Sequence, residues 1–111
     1  MARAHEFAVE VEEVGDSSLV RVTGEVDMAT SPDLESALER TRPDGKVVID
    51  LTKCDFLDSA AIRVILTGIA RCESAGGSMS LVASDPRVLR VLEIAGLDGR
   101  IPIHATRSQT A

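Results

Sequence analysis

Aromatic residues are almost missing from this chain. Among 111 residues only Phe7 and Phe56 are aromatic, and there is no Trp and no Tyr. This scarcity argues against sugar stacking and against single-stranded nucleic acid, whose bases stack on aromatic platforms. Positive charge is also in short supply. Twelve Lys and Arg stand against 18 Asp and Glu, a net charge of −6, so a basic face for a phosphate backbone is not expected. Partners are expected among proteins, with no nucleic acid. No apolar run approaches the length of a membrane span. Met1-Ala2-Arg3-Ala4-His5-Glu6 lacks the apolar stretch of a secretory signal. The expected location is cytoplasmic, with no membrane.

Cysteine and histidine are equally sparse, with two of each. Cys54 falls just before a predicted helix start, and Cys72 lies in that helix's last turns, thirteen residues past Ser59. At about 1.5 Å of rise per residue the two are roughly 20 Å apart, too far for a disulfide, which needs Cα atoms within about 7 Å. Both are expected to be reduced, small apolar residues. His5 and His104 sit in terminal segments, with no evident reason to approach a serine nucleophile. The phosphate-loop and dinucleotide glycine patterns are absent, and the Cys and His lack metal-site spacing. No enzymatic activity, cofactor, metal or small-molecule substrate is therefore expected.

What is present is an aliphatic sequence, 44% apolar, long enough for a single domain with its own core. Phe7, Val9 and Val11 alternate with Ala8, Glu10 and Glu12, a half-buried strand. Gly15-Asp16-Ser17-Ser18 is a turn, and Leu19 to Thr23 returns as a second strand. The acids at 10, 12 and 13 are either a docking patch or, as is more common, a solvated face that protects an edge. Gly24 to Ala29 reads as a loop, where Asp27 is either a turn residue bonding its own backbone or part of a partner surface. Ser31 as cap, Pro32 at the first position and Asp33 open a first helix, with Leu34, Ala37 and Leu38 inward. Arg42-Pro43-Asp44-Gly45 ends it.

Lys46 to Leu51 is an unbroken apolar run apart from Asp50, as in a central strand covered on both faces. Asp50 is either the outer edge of a site or a strand-end acid. In the next helix Ile62, Ile65, Leu66 and Ile69 mark a buried stripe, and Arg63, Thr67, Arg71 and Ser74 the opposite face. Gly76-Gly77 stops it. Ser78 to Ala83 is a strand. Asp85-Pro86 starts a third helix with Val88, Leu89 and Leu92 inward, which Gly96 ends. Ile101-Pro102-Ile103 is a short edge strand, and His104 to Ala111 a frayed tail. This order predicts an α/β fold, a mixed sheet of about four to five strands with three main helices packed against it. Right-handed crossovers should gather Asp27, Asp58 and Ser59 at one edge.

The organising stretch is Cys54 to Leu66. Asp58 can cap the helix that follows by accepting the unpaired N–H groups of its first turn. Ser59 then falls at the first helical position. A phosphate there would meet free backbone N–H groups and the positive end of the helix dipole. A serine at a helix start is more often just a capping residue, so both readings stand.

Asp55-Phe56-Leu57-Asp58-Ser59, followed by Ile62 and Val64-Ile65-Leu66, resembles the signature of STAS domains, the anti-sigma factor antagonist family. Val22-Thr23-Gly24-Glu25-Val26-Asp27 is similar to that family's Gly-Glu-hydrophobic-Asp segment. Val91-Leu92-Glu93-Ile94-Ala95-Gly96-Leu97 is similar to the apolar end of its third helix. The three segments lie in family order over roughly residues 5–103, so the resemblance implies one STAS domain over residues 1–111 and the STAS fold. It further implies an anti-sigma factor antagonist: a protein that binds an anti-sigma factor with serine kinase activity, frees a sigma factor, is switched off by phosphorylation at Ser59 and is restored by a serine phosphatase. Asp27, Asp58, Ser59, Ala60, Ala61 and Arg63 are the partner-binding residues it implies. Where regulatory members commonly read Asp-Ser-Ser/Thr-Gly, this chain reads Asp58-Ser59-Ala60-Ala61, and Arg63 replaces a common Gly. The methyl of Ala61 is expected to face an approaching partner. These departures leave a second expectation open, a non-phosphorylated scaffold module in a stress-signalling or transporter-associated complex.

Overall fold

The computed structural model describes residues 6–110, for Gln109 and Thr110 the backbone alone; His5 lies outside them. Five strands form one sheet in the order β1-β2-β3-β4-β5. They are β1 (Ala8–Val14), β2 (Ser17–Val26), β3 (Lys46–Leu57), β4 (Ser78–Val82) and β5 (Ile103–His104). β1 is antiparallel to β2, and all other pairs are parallel. The connecting helices are α1 (Ser31–Glu39), α2 (Ser59–Ala75) and α3 (Pro86–Ile94). No helix among the described residues is long and apolar enough to cross a membrane.

Strand alternation decides where the core sits. Val20, Val22 and Val26 of β2, Val47, Ile49 and Leu51 of β3, and Met79 and Leu81 of β4 join one buried cluster. The same cluster takes Leu34, Ala37 and Leu38 of α1, Ala61, Ile65, Ile69 and Cys72 of α2, and Val88 and Leu92 of α3. All three helices thus cover a single face. β3 is buried without a break from Val47 to Leu51, as its apolar run predicts, but its second face carries no α-helix, only the 3-10 turn of residues 107–110. There Leu19, Val48 and Val82 form a small separate cluster, and Arg21 pairs with Glu10 at 3.6 Å and Glu12 at 3.1 Å.

Several boundaries differ from expectation, each for a local reason. The hairpin turn is only Gly15-Asp16, because Val14 already pairs with Ser17. β2 runs on to Val26 and β3 to Leu57, six residues past Leu51, where its apolar run stops. The register moves from Arg21↔Asp50 to Thr23↔Lys53, and from Gly24↔Cys54 to Glu25↔Phe56. Each shift inserts one extra residue into β3. Gly24 sits at the second shift with φ +93°, and a Cβ there would lie 3.1 Å from the Glu6 carbonyl oxygen and the Phe7 Cα, so only glycine fits.

Ser31 is not the cap of α1. Thr30 occupies that position without a side-chain capping bond, Ser31 is the first helical residue and is buried. The Thr30 hydroxyl instead donates to the Glu25 carbonyl at 2.8 Å and accepts from the Asp27 N–H at 2.9 Å. Arg71, expected on the exposed face of α2, is half-buried. It donates to the carbonyls of Leu38 (2.6 Å), Glu39 (3.3 Å) and Thr41 (3.2 Å). The Glu39 and Thr41 carbonyls lie at and just past the end of α1, and the Leu38 carbonyl also accepts from the Thr41 N–H (3.1 Å) and Oγ1 (2.6 Å), so this one guanidinium ties the two helices together. Ile62 and Leu66 are half-buried and Leu89 is exposed, while Ala61 and Gly68 take the deeper positions. α2 stops at Gly76, which is left-handed (φ +83°). At the C-terminal end, where fraying was expected from His104 on, His104 pairs in β5 and residues 107–110 wind into one 3-10 turn.

Candidate functional site

The parallel pairing of β2 and β3 builds the site. Val26 pairs with Leu57, and the Asp58 N–H donates to the Val26 carbonyl at 3.2 Å. Asp27 and Asp58 therefore leave the sheet side by side at the same edge. Asp58 is extended (φ −118°, ψ −171°) and caps α2. Its Oδ1 accepts from the N–H of Ala60 at 2.8 Å and of Ala61 at 3.2 Å, while its carbonyl accepts from Ile62 at 3.2 Å. Ser59 follows at the first helical position and is exposed.

Asp27, Asp58 and Ser59 thus share one edge. Asp27 is chiefly a turn residue: its Oδ1 accepts from the N–H of Ala29 at 2.9 Å and of Thr30 at 3.1 Å. Ala60 is half-buried beside Ser59, and Arg63 is exposed. Arg63 lies four residues beyond Ser59, hence on the same helical face. Ala61 does not belong to this surface. It is fully buried, since its position turns the methyl into the core and away from any partner. The N–H groups expected to be free for a phosphate are partly taken, because Asp58 occupies those of Ala60 and Ala61. Asp50 also lies elsewhere, buried on the sheet face opposite the three α-helices, accepting from Thr52 N–H (2.9 Å) and Oγ1 (2.7 Å), with Arg107 Nε at 3.9 Å.

Around this edge the charge is mostly negative. Asp85 caps α3 through the Arg87 N–H at 2.8 Å and holds the Arg87 guanidinium with both carboxylate oxygens, at 3.1 and 2.7 Å. Those bonds pull the Asp85 carboxyl down to about 2. Asp55 carries a buried oxygen, Oδ1, without a hydrogen-bond partner. Beneath the edge, Cys54 donates to the Phe56 carbonyl at 3.3 Å, and burial pushes its thiol up to about 11. Cys72 is likewise buried and unbridged.

One part of the site escaped sequence reasoning. Leu57, Asp58, Ser59, Ile62, Val91, Ile94 and Ala95 line a cleft of about 370 Å³ between the first turn of α2 and the last of α3. Val91 and Ile94 form an apolar row beside the buried Val88–Leu92 stripe of α3, and that second row was the available signal.

A mixed five-stranded sheet with three helices on one face is the STAS fold. Residues 8–110 match the STAS domain. The anti-sigma F factor antagonist of Paenibacillus polymyxa is 30% identical over 100 residues, covering 86% of this chain and 85% of its own. The crystal structure of an anti-sigma factor antagonist from Mycobacterium paratuberculosis superposes with a TM-score of 0.82 at 30% identity, covering 94% of this chain and 90% of that one. The Bacillus cell fate determinant SpoIIAA, solved in its phosphorylated form, shares the fold at 18% identity, with a TM-score of 0.70 over 93% of this chain and 96% of that one. The chain belongs to the STAS domain family of anti-sigma factor antagonists.

Proposed function

We propose that this protein is a cytoplasmic anti-sigma factor antagonist whose docking surface is the edge around Ser59 and whose switch is phosphate on that serine. The unphosphorylated edge, with Asp27, Asp58, Ser59, Ala60 and Arg63, docks on an anti-sigma factor that is also an ATP-dependent serine kinase, and docking frees the sigma factor. The kinase then transfers the γ-phosphoryl group of ATP to Ser59 Oγ. The Oγ–P bond forms, the bond to the β-phosphate breaks, the hydroxyl proton is lost and ADP leaves. The complex ends there, and a serine phosphatase restores the free hydroxyl.

The observation that carries this reading is the exposed Ser59 at the first position of a capped helix, on an edge it shares with Asp27 and Asp58. The names of the relatives and the existence of a phosphorylated form of SpoIIAA support it. One observation favours the alternative of a scaffold that is never phosphorylated: Asp58 already fills the Ala60 and Ala61 N–H groups, which leaves fewer donors for a phosphate. Intact mass and peptide mapping after incubation with ATP and each serine-kinase anti-sigma factor of the source organism decide between them. One added phosphate on Ser59 supports the switch; a folded protein that no kinase modifies supports the scaffold.

A further inference from the structure

Arg63 is exposed on α2 and has no hydrogen bond or ion pair among the described residues. Its own helix cannot supply a partner. The positions three and four residues away hold Ser59, Ala60, Leu66 and Thr67, none of them acidic. The acid that α2 does carry, Glu73, lies ten residues on and is held by Arg100 at 3.2 Å. One event alone would put a negative charge within a helical turn of Arg63 on its own face, and that is a phosphate on Ser59.

The start of α2 makes such a cation necessary. Asp58 Oδ1 takes the N–H groups of Ala60 and Ala61, and the Asp58 carbonyl takes that of Ile62. A phosphate attached next to them meets few open backbone donors, and it stands beside the Asp58 carboxylate. It brings about −1.5 to −2 charges, which need a counter-charge from a side chain.

We infer that Arg63 is an internal clamp for that phosphate, its guanidinium folding back over the first turn of α2 to donate to the phosphoryl oxygens. This deepens the reading of Ser59 as the switch and rests on it. Residues four apart on a helix have Cβ atoms about 6 Å from each other, and an acid that precedes its cation is the better order. Helical side chains lean toward the N-terminus, which brings Arg63 toward position 59. The planar guanidinium fork matches two phosphate oxygens at once. Phosphorylation then changes two charges on the edge, adding the dianion and withdrawing the guanidinium.

The test uses the whole protein with phosphoserine encoded at position 59 during synthesis, so that the clamp is measured without any kinase. Phosphorus NMR follows the second ionisation of the phosphate, ordinarily near about 6. It should lie about 0.3 pH unit lower with Arg63 than in Arg63→Gln. Arg63→Lys should keep part of that difference, and 1 M salt should shrink it. Asp27 and Asp58 act alike in both proteins, and the α3 side of the adjoining cleft presents the uncharged Val91, Ile94 and Ala95. Arg40→Gln, exposed at the far end of α1, removes the same charge and should match wild type. Arg63→Gln should also melt about 2 °C lower when phosphorylated, and within about 1 °C of wild type when not. An ionisation within about 0.1 pH unit of wild type in Arg63→Gln would overturn the clamp and leave the Ser59 switch standing. Peptide mapping that finds Ser59 unmodified by every kinase would overturn the switch, and with it the clamp's role, whatever the encoded phosphate shows.

Discussion

Replacing Ser59 with Asp should break partner binding and leave the fold standing, and the local geometry sets both magnitudes. The new carboxylate would sit beside that of Asp58, whose Oδ1 is held at 2.8 and 3.2 Å by the Ala60 and Ala61 N–H groups. Two like charges roughly 6 Å apart repel by about 0.7 kcal/mol in water-like surroundings, and by about twice that at half the dielectric constant. Against this, an acid in the first turn gains about 0.3–1 kcal/mol from the helix dipole. Arg63, four residues further on the same exposed face, adds about 0.3–0.5 kcal/mol. The terms cancel to within about 1 kcal/mol, so the melting temperature should move by less than about 5 °C. Binding has no such offset. A charge that must be dehydrated at an apolar contact costs about 3 kcal/mol, or roughly a hundredfold in Kd. Calorimetry of the folded protein and titration with the kinase measure the two effects separately. A fall of more than about 10 °C in melting temperature would show that the helix start cannot hold the charge. Unchanged affinity would show that position 59 lies outside the interface.

Three further outcomes follow from features away from the edge. Gly24→Ala should lose about 2–3 kcal/mol in urea unfolding, because its φ of +93° and the close Glu6 and Phe7 backbone atoms both oppose a Cβ; a loss below about 0.5 kcal/mol would mean that the β2–β3 bulge does not depend on glycine. Arg71→Ala should lose about 1–2 kcal/mol with its bonds to the Leu38, Glu39 and Thr41 carbonyls, of which Leu38 keeps those from Thr41, and Lys should restore only part, since it lacks the planar fork. The Cys54 thiol, raised from 9.0 to about 11 in the fold, should resist thiol reagents at neutral pH until the chain is unfolded. Because its folded value lies above the unfolded one, its contribution to stability is complete below the unfolded value and disappears as pH rises through that window. Urea midpoints should therefore fall across the alkaline range, and Cys54→Val should flatten the fall.

The helices were legible because their punctuation is local. Pro32, Asp58 and Asp85 mark starts and Gly76 and Gly96 mark stops, each through its own backbone chemistry. The far half of β3 was not legible, because its two extra residues break the two-residue period on which strand reading depends. Leu51, Cys54 and Leu57 all reach the core, yet they are spaced by three, and the residues between them look like a loop. The cap of α1 was hidden for a similar reason. Asp27 and Thr30 spend their side chains on the preceding turn, so the Ser31-Pro32 pattern pointed one residue too far. Asp27, Asp58 and Ser59 could be gathered from crossover handedness alone. Arg71 and the cleft could not, since a guanidinium reaching α1 and an apolar row on α3 acquire meaning only after the helices pack.

The same bulges give the site its mechanical character. By returning Leu57 to the core, they deliver Asp58 to the cap of α2 from a buried, hydrogen-bonded strand rather than from a loose loop. Ser59 is thus fixed on its neighbours before any partner arrives, and a charge placed there changes the surface rather than the conformation. Such a switch needs no second state of the antagonist, only a difference in affinity. At a partner concentration about ten times Kd, a site is about 90% occupied; a hundredfold loss lowers that to about 10%. Under the proposed switch, one phosphate on this edge would therefore be enough to turn a mostly bound antagonist into a mostly free one, provided that the edge itself does not yield.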